Sequence, residues 1–295
     1  MTPAAAAPPT PTLERYLRGR PAALSCGPLA ILLIEDGAAI RETLDHHLQA
    51  GFRHILALSP EPVLLPDEMD DRVTNLLWNT RRPAAHVDAV NAVIAAVPEG
   101  TWLFYAFNAE FLFYPFAESR SIGEMLAFHT EERREAMLSY VIDLYAPDLD
   151  RAPDAVDLNE AMFDRSGYFA LGRPGPDGQL LPRQLDFHGG LRWRFEEYLP
   201  ADRRRIDRIG LFRARKGLRI TADHRFNIEE YNTYACAWHH NLTAAILSFR
   251  VAKALVGNPG SRERIGGFTW RNSQRFDWSS QQLMDMGLIE PGQWF

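Results

Sequence analysis

The sequence predicts an α/β protein built on a mixed sheet with parallel strands, and three observations carry that prediction. Short apolar runs bounded by turn residues recur along the first half: "LAILLIED" (Leu29 to Asp36), "RHILALS" (Arg53 to Ser59) and "WLFYAFNAE" (Trp102 to Glu110). Stretches of helical period separate them, so strand, helix and strand return at the spacing of a βαβ unit. A hydrophobic share of 46% against 24% charged residues is enough to bury the core such a sheet requires.

Taken in order, residues 1–26 read as a disordered Pro/Ala-rich leader, because "MTPAAAAPPTPT" lacks the basic start and apolar run of a signal peptide. Residues 27–295 then read as one domain with no internal repeat and no clear linker. After the first strand, "AAIRETLDHHLQAGF" places Ile40, Leu44 and Leu48 on one helical face and stops at Gly51. His46 and His47 sit on that helix as packing and solvent residues. The Pro-rich "SPEPVLLPDE" reads as a loop at the carboxyl edge of the sheet. "AHVDAVNAVIAAVPEG" repeats Val87, Val90, Val93, Ile94 and Val97 and closes at Pro98 and Gly100, a second helix.

Ser119 to Tyr140 reads as a charged amphipathic helix, with "EERREA" on its solvated face, and "SYVIDLYAP" as a strand. Asp148 to Gly178 is loop-rich, in the manner of an inserted or lid segment. The last third mixes short strands with a helix over "TYACAWHHNLTAAILSFRVAKALVG" and a short one around "SSQQLMDMGLI".

A formal charge of −6 provides no basic field for a nucleic-acid partner. No stretch reaches the roughly 18 apolar residues of a membrane span. Cys26 and Cys236 stand far apart with no metal spacing, so they read as two reduced core thiols of a cytoplasmic protein.

Several motifs then fall in a specific order. "WLFYAFNAEFLFYP" contains Trp102, Glu110, Phe111, Tyr114 and Pro115, and "VIDLYAPDL" contains Asp143 and Tyr145. "MFDRSGY", "HGGLRWRFE", "DRIGLFR" and "CAWHHNL" follow. Together they resemble the family 2-like glycosyltransferases of bacteria, whose central motif reads W-x-x-x-x-D-x-D-E-F-x-x-Y-P. The resemblance runs, in patches, from Leu29 to the C-terminus. It implies a GT-A fold: a nucleotide-binding half, residues 27–118, and an irregular acceptor-side half, residues 119–295. It also implies transfer from a nucleotide-sugar to a surface or capsular glycan, and a partner glycosyltransferase or self-association.

Active members of that family hold Mn²⁺ or Mg²⁺ on the aspartate pair, because a departing nucleoside diphosphate develops negative charge that a divalent ion neutralises. Here Phe107 and Ala109 stand at those aspartates, and neither ligates a metal. The family's early Arg-Asn-Glu falls on Ile34-Glu35-Asp36, its Asp-Asn on Ser59-Pro60, and its late lysine on Asn241. No metal or other cofactor is therefore expected.

Glu110 is a candidate base or acceptor-hydroxyl ligand; the other reading makes it a cap on the next turn or an arginine's partner. Asp223, in "ADHRFN", is a second candidate base. The resemblance places Asp36 and His239 near the nucleotide-sugar. Gly189 and Gly190 permit close backbone approach, and in an extended segment Arg192 and Arg194 would project to one side. Two guanidiniums so placed clamp a diphosphate without metal, unless ion pairs with Asp186 or Glu196 engage them. Trp193, Trp238, Trp270 and Trp278 either stack on sugar rings or pack internally. Two functions follow from these residues: metal-independent sugar transfer, or a pseudoenzyme that binds a glycan or scaffolds a complex.

Overall fold

The computed structural model describes residues 9–66, 69, 71–233 and 241–294. Within the stretch assigned to a leader, Leu13–Arg18 forms α1, capped by Thr12 and packed through the buried Leu13 and Leu17. Thr12 also bridges to Leu77, so this segment is part of the fold. The apolar runs become β1 (Leu29–Leu33), β2 (His54–Ser59) and β4 (Trp102–Phe107), with α2 (Ile40–Gln49) and α3 (Ala85–Ala96) between them. A further strand, β3 (Val73–Leu77), joins the far side of β2. All four strands run parallel in the order β4-β1-β2-β3.

Alternation along the strands feeds two layers. Ala30, Leu32, Phe104 and Ala106 face the core shared with α2. Leu29, Ile31, Leu103 and Tyr105 face the core shared with α1 and α3. Cys26 is exposed rather than a core thiol.

The long run beginning at Trp102 is two strands instead of one. Ala109 takes a left-handed φ of 59°, and the chain turns back as β5 (Glu110–Phe113). The helix expected from Ser119 to Tyr140 is shorter: α4 (Ile122–Glu131) opens on a reciprocal Ser121–Glu124 cap and ends, and β6 (Ala136–Tyr145) takes over. The loop-rich segment carries β7 (Met162–Asp164), then β8 (Phe169–Pro174) and β9 (Leu180–His188), which form a separate antiparallel hairpin.

"GGLRWR" is not extended. It forms the single-turn helix α5 (Gly190–Arg194), followed by β10 (Asp207–Arg213). Where a helix was expected over residues 233–257, residues 244–248 are instead β11 (Ala244–Ser248), and only α6 (Arg250–Gly257) is helical; residues 234–240 lie outside the described residues. β12 (Ser273–Arg275) and α7 (Ser280–Asp285) complete the chain. The result is a ten-stranded mixed sheet flanked by helices, in which β10 separates β4 from β6 and β11 separates β5 from β6. Among the described residues no helix is long and apolar enough to cross a membrane.

Candidate functional site

In an open α/β sheet ligands bind beyond the carboxyl ends of the parallel strands. At that edge the Asn108–Ala109 turn is the organising element. Asn108 Oδ1 accepts from the Glu35 N–H at 2.9 Å, and its amide donates to the Asp36 carboxylate (2.6 Å) and the Ala38 carbonyl (2.9 Å). One side chain thus ties the turn after β4 to the loop after β1.

Glu110 closes the same turn by accepting from the Phe107 N–H at 3.0 Å. Its carboxylate receives both Arg208 Nη1 (2.6 Å) and Nη2 (3.0 Å), and the Ser248 hydroxyl at 2.9 Å. It is 0% exposed. Burial alone would raise its pKa, but Arg208 outweighs that and lowers it to about 2. The turn cap and the arginine pair that the sequence offered as one reading are therefore both present in a single carboxylate.

Above Phe107 lies the guanidinium of Arg250, 3.7 Å from the ring centroid, with Nε and Nη2 each 2.7 Å from the Glu35 carboxylate. Lys253, one turn further along α6, reaches Asp36 at 2.9 and 3.0 Å. Burial raises the Asp36 pKa, but the Lys253 contact and the Ala38 N–H more than offset this and lower it. Glu35, Asp36, Arg250 and Lys253, joined by Arg192 and Arg203, line a cavity of about 410 Å³. A neighbouring cavity of about 360 Å³ on the other side of Glu35–Asp36 is lined by Ser59, Pro60, Glu61 and Arg81. A larger opening of about 1080 Å³ lies at the opposite, amino edge beside Gly27, Arg53 and Trp102, away from this chemistry.

Arg192 and Arg194 diverge. Arg192 Nε meets Asp143 at 3.4 Å and its Nη1 donates to the carbonyls of Arg203 and Arg205. Arg194 Nη1 meets Asp164 at 3.0 Å; Tyr145 and Trp270 also donate to that carboxylate, at 2.6 and 2.7 Å. The expected partners Asp186 and Glu196 belong to other arginines: Arg173, Arg205 and Arg225 for Asp186, Arg204 for Glu196. The glycines are required here for a packing reason. Gly189 lies against the Tyr168 ring, where a Cβ would fall 2.2 Å from a ring carbon, and Gly190 holds φ 61° beside Asp143. Burial pushes Asp143 up to about 6 despite Arg192.

Asp223 keeps 42% of its side chain exposed, accepts from the Thr221 hydroxyl at 2.6 Å and pairs with Arg225 at 3.5 Å. Its neighbour His224 donates to or accepts from the Tyr105 hydroxyl at 2.9 Å and stacks on His86 with centroids 4.5 Å apart. Burial and the nearby guanidiniums of Arg250 and Arg208 press His86 down to about 4, and burial with Arg208 presses His224 well below the usual imidazole range. His239 lies outside the described residues.

The donor set does not suit a divalent ion. Phe107 and Ala109 offer no side-chain oxygen, Glu110 is spent on Arg208, and no group of three acid, histidine or cysteine side chains placed to hold a metal ion occurs among the described residues. No protein-family model matches the chain, and no curated protein matches it. Arg208, Arg250, Lys253 and Asn108 are the site residues that sequence reasoning missed. The signal for Arg250 and Lys253 was the strand "AAILS" just before them, which places both at a carboxyl edge.

Proposed function

We propose that the chain is a GT-A-like protein of the family 2-like glycosyltransferase group that binds a nucleotide-sugar or glycan without transferring the sugar. It would serve a surface or capsular glycan pathway from the cytoplasm, as a binding or scaffolding subunit beside a partner transferase. The observation that carries this reading is the Glu35–Arg250–Phe107 stack: an internal ion pair occupies Glu35 and covers Phe107, positions that the resemblance aligns with the early Arg-Asn-Glu and the metal-binding aspartates of active members. Glu110 adds to it, since a buried carboxylate held near pKa 2 by an arginine is a poor proton acceptor for a sugar hydroxyl.

Thermal-shift and calorimetric titration with UDP-, GDP- and CMP-sugars, with Mn²⁺ and with EDTA, tests the proposal. The expected result is stabilisation by at least one nucleotide-sugar, insensitive to EDTA and without release of nucleotide. Turnover on a glycan acceptor that Asp223→Asn abolishes would overturn it in favour of metal-independent transfer, the reading that the solvent-accessible carboxylate of Asp223 favours.

A further inference from the structure

Four of the five exposed large apolar side chains among the described residues share one region: Phe169 (42%), Leu171 (55%) and Leu180 (66%) on the β8–β9 hairpin, and Trp193 (46%) on α5. Two of these rings are held in fixed positions. Phe169 stacks on His188 at 5.2 Å and meets Trp193 edge-on at 6.4 Å. Trp193 itself rests on the backbone of Gly167, whose φ of 98° suits glycine and where a Cβ would lie 3.5 Å from the indole. Beside Phe169 opens a cavity of about 290 Å³ lined by Tyr140, Tyr168, Phe187 and Glu290. Tyr168 carries a buried hydroxyl without a hydrogen-bond partner.

We infer that this cavity and the adjoining aromatic surface bind a neutral glycan, one sugar ring lying in the cavity against Phe169 and the next over Trp193. Three features select that ligand class. A pyranose presents an apolar C–H face and a rim of hydroxyls, which match the Phe169 ring bordered by Tyr140 and the Glu290 carboxylate. The volume sits at the lower limit of ligand cavities, roughly 300 Å³, so it admits a single ring rather than a nucleotide. Among the described lining residues there is a carboxylate and no cation, which disfavours phosphates and uronates. Continuity supplies the direction: on α5, Arg192 lines the arginine-rich cavity while the next residue, Trp193, faces the aromatic surface.

The inference rests on the glycan-binding reading above, and its test is separate. Saturation-transfer NMR with methyl β-glucoside, methyl β-galactoside and methyl α-mannoside, and with cellotriose and maltotriose, reads binding at up to tens of millimolar. At least one hexoside should bind, with saturation strongest at its ring C–H protons. Phe169→Ala should weaken it roughly three- to ten-fold. Trp193→Ala should weaken a trisaccharide and leave the methyl hexoside unchanged. Neither exposed ring supports the core, so both melting temperatures should match the parent's. No binding of any of these sugars, or a Phe169→Ala variant that binds as the parent does, overturns the inference. So does self-association that Phe169→Ala abolishes, which would give the surface to a second copy of the chain. Nucleotide-sugar titration of the same variants keeps the two proposals apart. Nucleotide-sugar binding without hexoside binding sinks only the aromatic site, and hexoside binding without nucleotide-sugar binding upholds it.

Discussion

Glu110 and Asp143 are both fully buried carboxylates, both flank Ser248 across β11, and each faces an arginine, yet they are pushed in opposite directions. Glu110 has a bidentate guanidinium, a hydroxyl and a backbone N–H, all within 3.0 Å. Asp143 has the Arg192 N–H at 3.3 Å and its Nε at 3.4 Å, both long for charge-assisted bonds. Burial is the same in the two cases. The number and geometry of the donors decide which way each carboxylate's pKa moves.

The largest effect should come from breaking the tighter pair. Arg208→Ala leaves Glu110 buried without its partner and should cost about 3–5 kcal/mol, read as a lower denaturation midpoint. The double variant Glu110→Leu/Arg208→Met should recover much of that loss. A double variant no more stable than Arg208→Ala would show that the pair's surroundings, rather than the uncompensated charge, set the cost.

Next in size is the pH dependence, where the two acids should slope oppositely. The Glu110 pKa falls from its ordinary 4.5 to about 2, so its stabilisation is present above pH 4.5 and lost as pH falls through 2. Asp143 rises from 3.8 to about 6, so its contribution is full below pH 3.8 and lost as pH rises through 6. Melting temperatures measured against pH should therefore show the parent gaining on Glu110→Gln between pH 2 and 4.5, and losing ground to Asp143→Asn between pH 4 and 6. Parallel slopes would remove the contrast.

The smallest effect on stability should be at Glu35, whose pair with Arg250 is partly open to solvent. Glu35→Gln should change stability by less than about 1 kcal/mol. It frees the Arg250 guanidinium, so nucleotide-sugar affinity should rise several-fold in the same variant. Unchanged affinity would mean that Arg250 does not face the ligand.

Much of the parallel half was legible because β1, β2 and β4 are apolar on both faces and bounded by turn residues, while α2 and α3 show a clean helical period. β11 was not: "AAILS" is five buried residues, too short for periodicity to separate strand from helix, and it runs directly into α6. β3 alternates imperfectly beside a Pro-rich loop, because it is the outer strand of the sheet. At the site, Glu110 was visible and its role open, since its partner Arg208 is 98 residues away and only tertiary structure joins them. Arg192 and Arg194 were singled out by alternation, but Gly190–Arg194 folds as a helical turn and the alternation never forms.

The insertion of β10 and β11 between strands made much earlier has a consequence for biogenesis. β6 ends at Tyr145, yet its partner along Ser139–Asp143 arrives only with Ser248. At a synthesis rate of about 5–20 residues per second, the intervening hundred or so residues leave the β11-facing edge of β6 open for roughly 5–20 s, and β5 at least as long. During that interval the nascent chain displays apolar strand edges with open hydrogen-bonding groups, the surfaces through which polypeptides pair with the wrong neighbour. Closing such distant pairings is also intrinsically slow. The yield of native protein should therefore depend on prompt completion of the chain, or on low temperature or chaperones that shield β5 and the open edge of β6 until the last third of the chain has emerged.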